Sequence, residues 1–435
     1  MMILLDMLKI INSDEITEKN ISNYIPRTVS QLEEIVEDVN KIIQEVKLNG
    51  DAAIINFSKT FDGVELSESE IKVTIDEIEE AYDKIDQKLL EAFRFAKKNL
   101  IKFHQSQKHE EWLIDVVKGV RAGQIYRPIE SVGLYVPGGR AIYPSTVLMA
   151  ATPAYVAGVK DIIICSPPQK DKKIAPEIIV AAKEFEISKI YKIGGAQAIA
   201  AMAYGTETIP RVQKVFGPGN KWVNTAKQLL SNIVAIDTPA GPSEVLIIAD
   251  DSAKVNYVIM DFLSQIEHDP DNIGIIVTDS AQLIENIKNK LDSFLEQSER
   301  KEIIKSALNN SLVIKAKDLD DCIRISNFIA PEHLEILTKN PKNLLENVTN
   351  AGAIFLGQFS PVPLGDYSAG TNHILPTGGN AKKYSGLNIY DFLKIIDILE
   401  CNKEGLKNLS ESATKIAEFE KFYAHKKSIE ERLKD

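Results

Sequence analysis

Cysteine is scarce: Cys165, Cys322 and Cys401 lie far apart with no Cys-x-x-Cys spacing. This excludes a thiolate zinc site and fits reduced thiols in a cytoplasmic protein. Cys165 closes the apolar run Ile162-Ile163-Ile164-Cys165, where a free cysteine is expected as a small buried hydrophobe rather than a nucleophile. A surplus of positive charge is also missing. The formal net charge of −11 removes the electrostatic footprint of a nucleic-acid or anionic-membrane binder. The amino terminus, Met1-Met2-Ile3-Leu4-Leu5-Asp6, carries no basic flank and leads to no small-residue cleavage site, so no export signal is expected. The longest uncharged run, Ala141 to Val159, is interrupted by Pro144 and Pro153, which suits a buried helix and its entry loop rather than a membrane span. Histidine occurs six times in 435 residues, so its surroundings are informative.

What is present is ordinary globular material, 44% hydrophobic and 26% charged, in a chain long enough for roughly two to four structural units. From Val132 onward, short β-branched runs alternate with alanine-rich stretches: Val132-Val136, Ile162-Cys165, Ile190-Ile193, Val212-Phe216, Val234-Ile236, Val245-Ala249, Ile273-Val277 and Ala353-Leu356. That alternation predicts βαβ units and largely parallel, doubly wound sheets, an α/β protein. Apolar positions at helical spacing predict one long amphipathic helix from 75 to about 108, with His104 and His109 on its polar end as surface histidines. The carboxy-terminal ~45 residues read as helical. Pro239-Ala240-Gly241-Pro242 is the best domain boundary. Three glycine-rich turns, Pro137-Gly138-Gly139-Arg140, Gly194-Gly195-Ala196-Gln197 and Gly217-Pro218-Gly219-Asn220, follow strands and lead towards helices. Exposed amides at such junctions suit a diphosphate, although none matches the Gly-x-Gly-x-x-Gly fingerprint and turn glycines explain them equally.

Three segments pair histidine with acids or amides. In Ser264-Gln265-Ile266-Glu267-His268-Asp269-Pro270, Gln265 and His268 share a face if the preceding stretch is helical. Asp366, within Gly365-Asp366-Tyr367-Ser368-Ala369-Gly370-Thr371-Asn372-His373, and one further histidine, His373 or His425, would complete an oxygen- and nitrogen-rich metal set. In Pro331-Glu332-His333-Leu334 the proline is expected to start a helix, leaving Glu332 and His333 near its amino end with diverging side chains. Such a pair suits successive steps: imidazole as base for an alcohol proton, glutamate as activator of water once burial raises its pKa.

Taken with Ile236-Asp237-Thr238-Pro239-Ala240-Gly241-Pro242-Ser243-Glu244, these segments resemble the histidinol dehydrogenase family, in its motif order, from Tyr135 to His425. The resemblance implies two Rossmann-like doubly wound α/β domains with short helical terminal segments. It divides the chain into 1–31, a discontinuous larger domain of 32–134 with 242–387, a second domain of 135–241, and a carboxy-terminal segment of 388–435 exchanged in a homodimer. It implies oxidation of L-histidinol to L-histidine through L-histidinal, with NAD and one Zn²⁺ per subunit. Zinc would be held by Gln265, His268, Asp366 and His425, which also orient the substrate. His333 would be the base for the hydroxyl proton and Glu332 the activator of water. Tyr135, Gln197 and Asn220 would contact NAD. Ser243, His333, His373 and Glu420 would contact substrate, with Glu420 and His425 donated by the partner subunit.

One departure stands out. The family usually has glycine after the glutamate corresponding to Glu420, and here the residue is Lys421. Glu420 and His425, five apart, would face differently on a continuous helix, so the backbone is expected to break there. Two further readings compete: a related zinc and NAD dehydrogenase of another polar diol, such as a sulfonated one, and a silent zinc-binding scaffold. A sulfonate favours arginine or lysine where Glu420 suits an ammonium, and a silent scaffold would be expected to lose Glu332 or His333. A zinc hydrolase would need a His-Glu-x-x-His helix that the sequence lacks.

Overall fold

A computed structural model describes residues 8–25, 27, 35–138, 142–238 and 241–434. The amino-terminal run Met1-Asp6, the turn residues Gly139-Arg140 and the boundary residues Pro239-Ala240 lie outside the described residues. Fourteen strands are formed among the rest: β1 (Lys9–Asn12), β2 (Trp112–Val117), β3 (Val120–Pro128), β4 (Ser131–Tyr135), β5 (Asp161–Ser166), β6 (Lys189–Lys192), β7 (Lys214–Phe216), β8 (Ala235–Ile236), β9 (Glu244–Ala249), β10 (Ile273–Thr278), β11 (Leu312–Lys315), β12 (His333–Leu337), β13 (Ala353–Leu356) and β14 (Leu393–Cys401). All eight β-branched runs singled out from the sequence fall on strands.

The chain divides into two compact units, residues 1–106 with 130–391, and residues 107–129 with 392–435. The first unit contains two parallel sheets, ordered β6-β5-β4-β7-β8 and β1-β11-β10-β9-β12-β13. Numbered from their own first strand, both follow the order 3-2-1-4-5, with β1 added at one edge of the second. That is the doubly wound α/β arrangement the alternation predicted. Strands such as β9 and β10 are buried along their whole length, because parallel strands with helices on both faces see no water. Helix Val36–Phe57 packs its apolar face into the core of the five-stranded sheet, where Val39, Ile42 and Val46 join Ile163, Ile193 and Val215.

The expected helix over 75–108 is two helices, Ile75–Lys84 and Gln87–Gln105. Asp86 breaks the run: its side chain accepts from the Leu89 amide at 3.0 Å and caps the second helix, a local choice that apolar periodicity does not reveal. His104 is not on the surface but fully buried, within 3.3 Å of the Asn372 amide. Within the uncharged run, Pro144–Ala157 forms a largely buried helix with Pro144 in its first turn. No helix among the described residues is long and apolar enough to cross a membrane.

The second unit is an antiparallel sheet, β14-β3-β2, followed by helices Lys403–Phe419 and Tyr423–Arg432. The carboxy-terminal ~45 residues therefore open with a strand rather than a helix. Leu393-Lys394-Ile395-Ile396-Asp397-Ile398-Leu399 is rich in β-branched residues, and the strand pairs with β3 at nine positions along one edge. The chain does break between Phe419 and Tyr423, where Lys421 takes a left-handed φ of 61°.

Candidate active site

In the six-stranded sheet the chemistry-bearing residues gather at the amino ends of neighbouring strands. Ser243 and Glu244 lead into β9, and Glu332 and His333 into β12, which pairs with β9 in parallel register. The expected helix at Pro331 is absent. Helix Leu319–Ile329 stops at Ala330, whose φ of 51° is left-handed, and Pro331 then prevents resumption, so the proline ends a helix instead of starting one. On an extended chain Glu332 and His333 point to opposite faces, yet both are fixed by the main chain of Glu244. Its N–H donates to Glu332 Oε2 at 2.8 Å, and its carbonyl lies 3.1 Å from His333 Nδ1. With Nδ1 on a carbonyl, Nδ1 carries the proton of the neutral ring and Nε2 keeps its lone pair.

Nε2 of His333 lies 3.5 Å from Asp366 Oδ1, and Nδ1 lies 3.6 Å from Glu332 Oε2. Burial pushes Glu332 up to about 7, against the pull of His333. Burial also disfavours the His333 cation, but the carboxylates of Glu332 and Asp366 prevail and raise it to about 9. Burial likewise works against ionised Asp366, yet His333, His373 and His268 hold its carboxyl below the usual range. All three imidazoles therefore bear on one carboxylate. His373 is itself partly buried, and desolvation depresses its basicity; its Nδ1 donates to the Asp366 carbonyl at 3.1 Å, leaving Nε2 available.

The segment 365–373 is only partly loop. Helix Val362–Tyr367 includes Asp366, and the remainder is pinned by Asn99, which donates to the Ser368 carbonyl at 2.8 Å, and by Asn372, which donates to the Met149 carbonyl at 2.7 Å. The stretch before Gln265 is helical as expected: Gln265 is buried in the last turn of helix Val255–Ile266, and His268 lies two residues beyond its end. Glu420 and His425 are exposed on the second unit, at the break between its two helices and just after it.

Several supporting residues were not anticipated. Arg27 pairs with the buried Glu244 carboxylate through two nitrogens, at 3.0 and 2.8 Å, and also donates to the Ile329 carbonyl at 2.7 Å. An acid opening an otherwise apolar strand was a readable signal for Glu244. Its partner, 217 residues away, had none. Arg27→Ala is expected to cost about 3 kcal/mol, because it leaves a carboxylate without its ion pair at 1% side-chain exposure. An unchanged melting temperature would contradict that. Glu335, two residues along β12 from His333, is buried beside Asp261 of helix Val255–Ile266. Burial raises both carboxyls, Asp261 to about 6, and the charge of Asp261 adds to the rise at Glu335. This contact ties the helix bearing Gln265 to the strand bearing His333.

The five-stranded sheet uses its carboxyl ends. A cavity of about 560 Å³ opens there, at the point where strand order reverses between β4 and β7, and Tyr135, Gln197 and Asn220 all line it. The Tyr135 hydroxyl accepts from the Gly195 amide at 3.2 Å, and Asn220 caps helix Lys221–Leu230. Gly217 is required: its φ is 117°, and a Cβ would collide with the Tyr135 carbonyl. The buried ion pair of Lys227 with Asp237 holds this turn, Asp237 accepting from the Gly217 amide at 2.8 Å and Lys227 donating to its carbonyl at 3.1 Å. Cys165 is buried and its thiol is pushed far up by burial, which removes it as a nucleophile.

The family model for histidinol dehydrogenase matches residues 25–433. The chain belongs to the histidinol dehydrogenase family. It is 49% identical to the histidinol dehydrogenase of Methanocaldococcus jannaschii over 97% of both chains, and 44% identical to that of Lactococcus lactis over 98% of this chain and 99% of the other. The crystal structure of histidinol dehydrogenase from Elizabethkingia anophelis superposes with a TM-score of 0.94 at 41% identity, covering 98% of each chain. The resemblance read from the motifs is thus borne out, and with it the α/β fold and an oxidoreductase of histidine biosynthesis.

Among the described residues, no three His, Cys, Asp or Glu side chains converge tightly enough to hold a metal by themselves. The donors that do approach one another are hard oxygens and imidazoles around ionised Asp366, with the free Nε2 of His373 close by. That donor chemistry is compatible with a zinc ion, to which Gln265 would be a further ligand.

Proposed function

We propose that the chain oxidises L-histidinol to L-histidine through L-histidinal, passing two hydrides in succession to NAD. The observation that carries this reading is the double anchorage of Glu332 and His333 on the Glu244 backbone, beside Asp366. It provides two proton acceptors of different kinds at one place. In the first oxidation the carbinol C–H leaves as hydride and the hydroxyl proton goes to His333 Nε2. A cationic group that takes up the charge of Asp366 shifts His333 towards the neutral ring that accepts this proton. In the second, Glu332 takes a proton from the water that adds to the aldehyde, and the hydrate then yields its hydride.

Zinc would be held by Gln265, His268, Asp366 and His425, and when bound it would orient the substrate amine and imidazole. Ser243, His333, His373 and Glu420 would contact substrate, and Tyr135, Gln197 and Asn220 would contact NAD. Support for the cofactor comes from the cavity at the strand-order switch and its amide-rich turns. We further infer a cytoplasmic homodimer in which the carboxy-terminal segment of each subunit completes the other's site, with domains divided at 31, 134, 241 and 387. Support for association comes from the second unit, which exposes Ile114, Ile395, Leu399 and Phe419 without cover.

The test is NADH formation from purified protein, L-histidinol and NAD, before and after chelation and zinc restoration. Two NADH per histidine, lost on chelation and restored by zinc, is the expected result. No turnover by folded, zinc-loaded dimer would point to another alcohol.

A further inference from the structure

The cavity on the five-stranded sheet contains more unspent hydrogen-bonding capacity than Tyr135, Gln197 and Asn220 account for. Among the described residues, two polar atoms on its wall are buried without any hydrogen-bond partner, Ser166 Oγ and Asp62 Oδ2. Ser166 closes β5 and is fully buried, so its hydroxyl belongs to the floor of the cavity. Asp62 arrives from elsewhere. It ends the wide turn Ser58–Asp62 that continues helix Val36–Phe57, a segment preceding the sheet altogether. Among the described lining residues there is no lysine or arginine, and Asp62 is the one formal charge. Ile42, Phe61, Ile142, Ile178 and Trp222 supply an apolar wall broad enough for a flat base.

These features together discriminate between dinucleotides. A neutral ribose diol brings O–H donors to a carboxylate that has none. A 2′-phosphate would bring a dianion to the same carboxylate, with no described cation on the wall to offset the repulsion. We propose that Asp62 accepts a hydrogen bond from a ribose hydroxyl of the adenosine half of NAD and thereby makes this cavity selective against 2′-phosphorylated dinucleotides. The proposal rests on the NAD reading above. Desolvation holds Asp62 at about 6, so the accepting carboxylate still predominates at pH 7.5. The glycine-fingerprint rule could not find this residue, because there the ribose-binding acid follows the first glycine turn by about 20 residues, whereas Asp62 lies upstream of every turn.

Asp62→Asn and Asp62→Ala test it, each assayed with NAD and NADP, alongside calorimetric titration of the metal-loaded protein with 5′-AMP and with adenosine 2′,5′-bisphosphate. Since Asp62 Oδ2 has no hydrogen-bond partner among the described residues, neither change removes a described bond that holds the fold. The expected result is a ~10- to 100-fold weaker affinity for NAD and 5′-AMP, the usual range for losing a charged hydrogen bond, and a loss falling on KM rather than kcat. The preference for NAD over NADP should shrink at least tenfold, with tighter binding of the bisphosphate in Asp62→Ala. If Gln197→Ala weakens NAD binding while both Asp62 variants keep wild-type affinity and preference, the Asp62 assignment is overturned and the NAD reading stands. If folded wild-type protein binds neither NAD nor 5′-AMP, both are overturned.

Discussion

Replacing His333 by asparagine is expected to lower kcat for histidinol oxidation by about 10²- to 10⁴-fold, the range for losing a positioned general base, and to slow histidinal oxidation as well. Asparagine can still donate to the Glu244 carbonyl that His333 Nδ1 now faces at 3.1 Å, so the strand should stay in register. What it cannot supply is the second nitrogen, which approaches Asp366 and has no hydrogen bond among the described residues. The loss should therefore appear in kcat with each substrate, while the melting temperature and the affinity for NAD stay near wild type. Wild-type kcat in His333→Asn would remove His333 from the chemistry and leave it a packing residue.

Glu332→Gln should separate the two oxidations. Glutamine still accepts from the Glu244 amide, so the 2.8 Å hydrogen bond survives, but it cannot take a proton from water. Histidinal oxidation is expected to fall by about 10²-fold or more, whereas conversion of histidinol to histidinal changes only a few-fold. The pH profile gives an independent check. Glu332 must be ionised to act, and burial raises it to about 7, so wild-type aldehyde oxidation should decline as pH falls through 7. That limb should vanish in the variant. The strongest pull raising His333 is the Glu332 carboxylate, so neutralising it should also move the alcohol step's optimum to lower pH. Histidinal oxidation at wild-type rate in Glu332→Gln would remove the water-activating role.

The legible parts of this protein were those governed by short-range rules. Eight parallel strands showed themselves as β-branched runs, and for all but the edge strands β8 and β13 the reason is burial on both faces, which permits no polar alternation. Two of the glycine turns, at Gly194-Gly195 and Gly217-Pro218-Gly219, were legible because a chain leaving a strand for a helix needs the left-handed φ that Gly195 and Gly217 adopt. The break after Glu420 was legible because two side chains five apart cannot converge on one helix. Pro331 misled, because proline both starts and ends helices, and only the left-handed Ala330 before it decides between them. His104 misled because its flanking lysines suggested solvent, while Asn372, 268 residues away, lies against it.

By itself, the sequence determined the class of fold, the absence of thiolate metal chemistry, and the set of acids, imidazoles and amides available for reaction. Tertiary structure alone decided where they meet. Parallel pairing of β9 with β12 puts the Glu244 backbone beside Glu332 and His333, and a cap at Asp86 divides a helix whose second part pins the segment carrying Asp366. The reason is physical: composition and periodicity report which surfaces a segment must bury, but not which distant segment does the burying. Shifts such as that of Glu332 arise from that enclosure, and no local spacing encodes it.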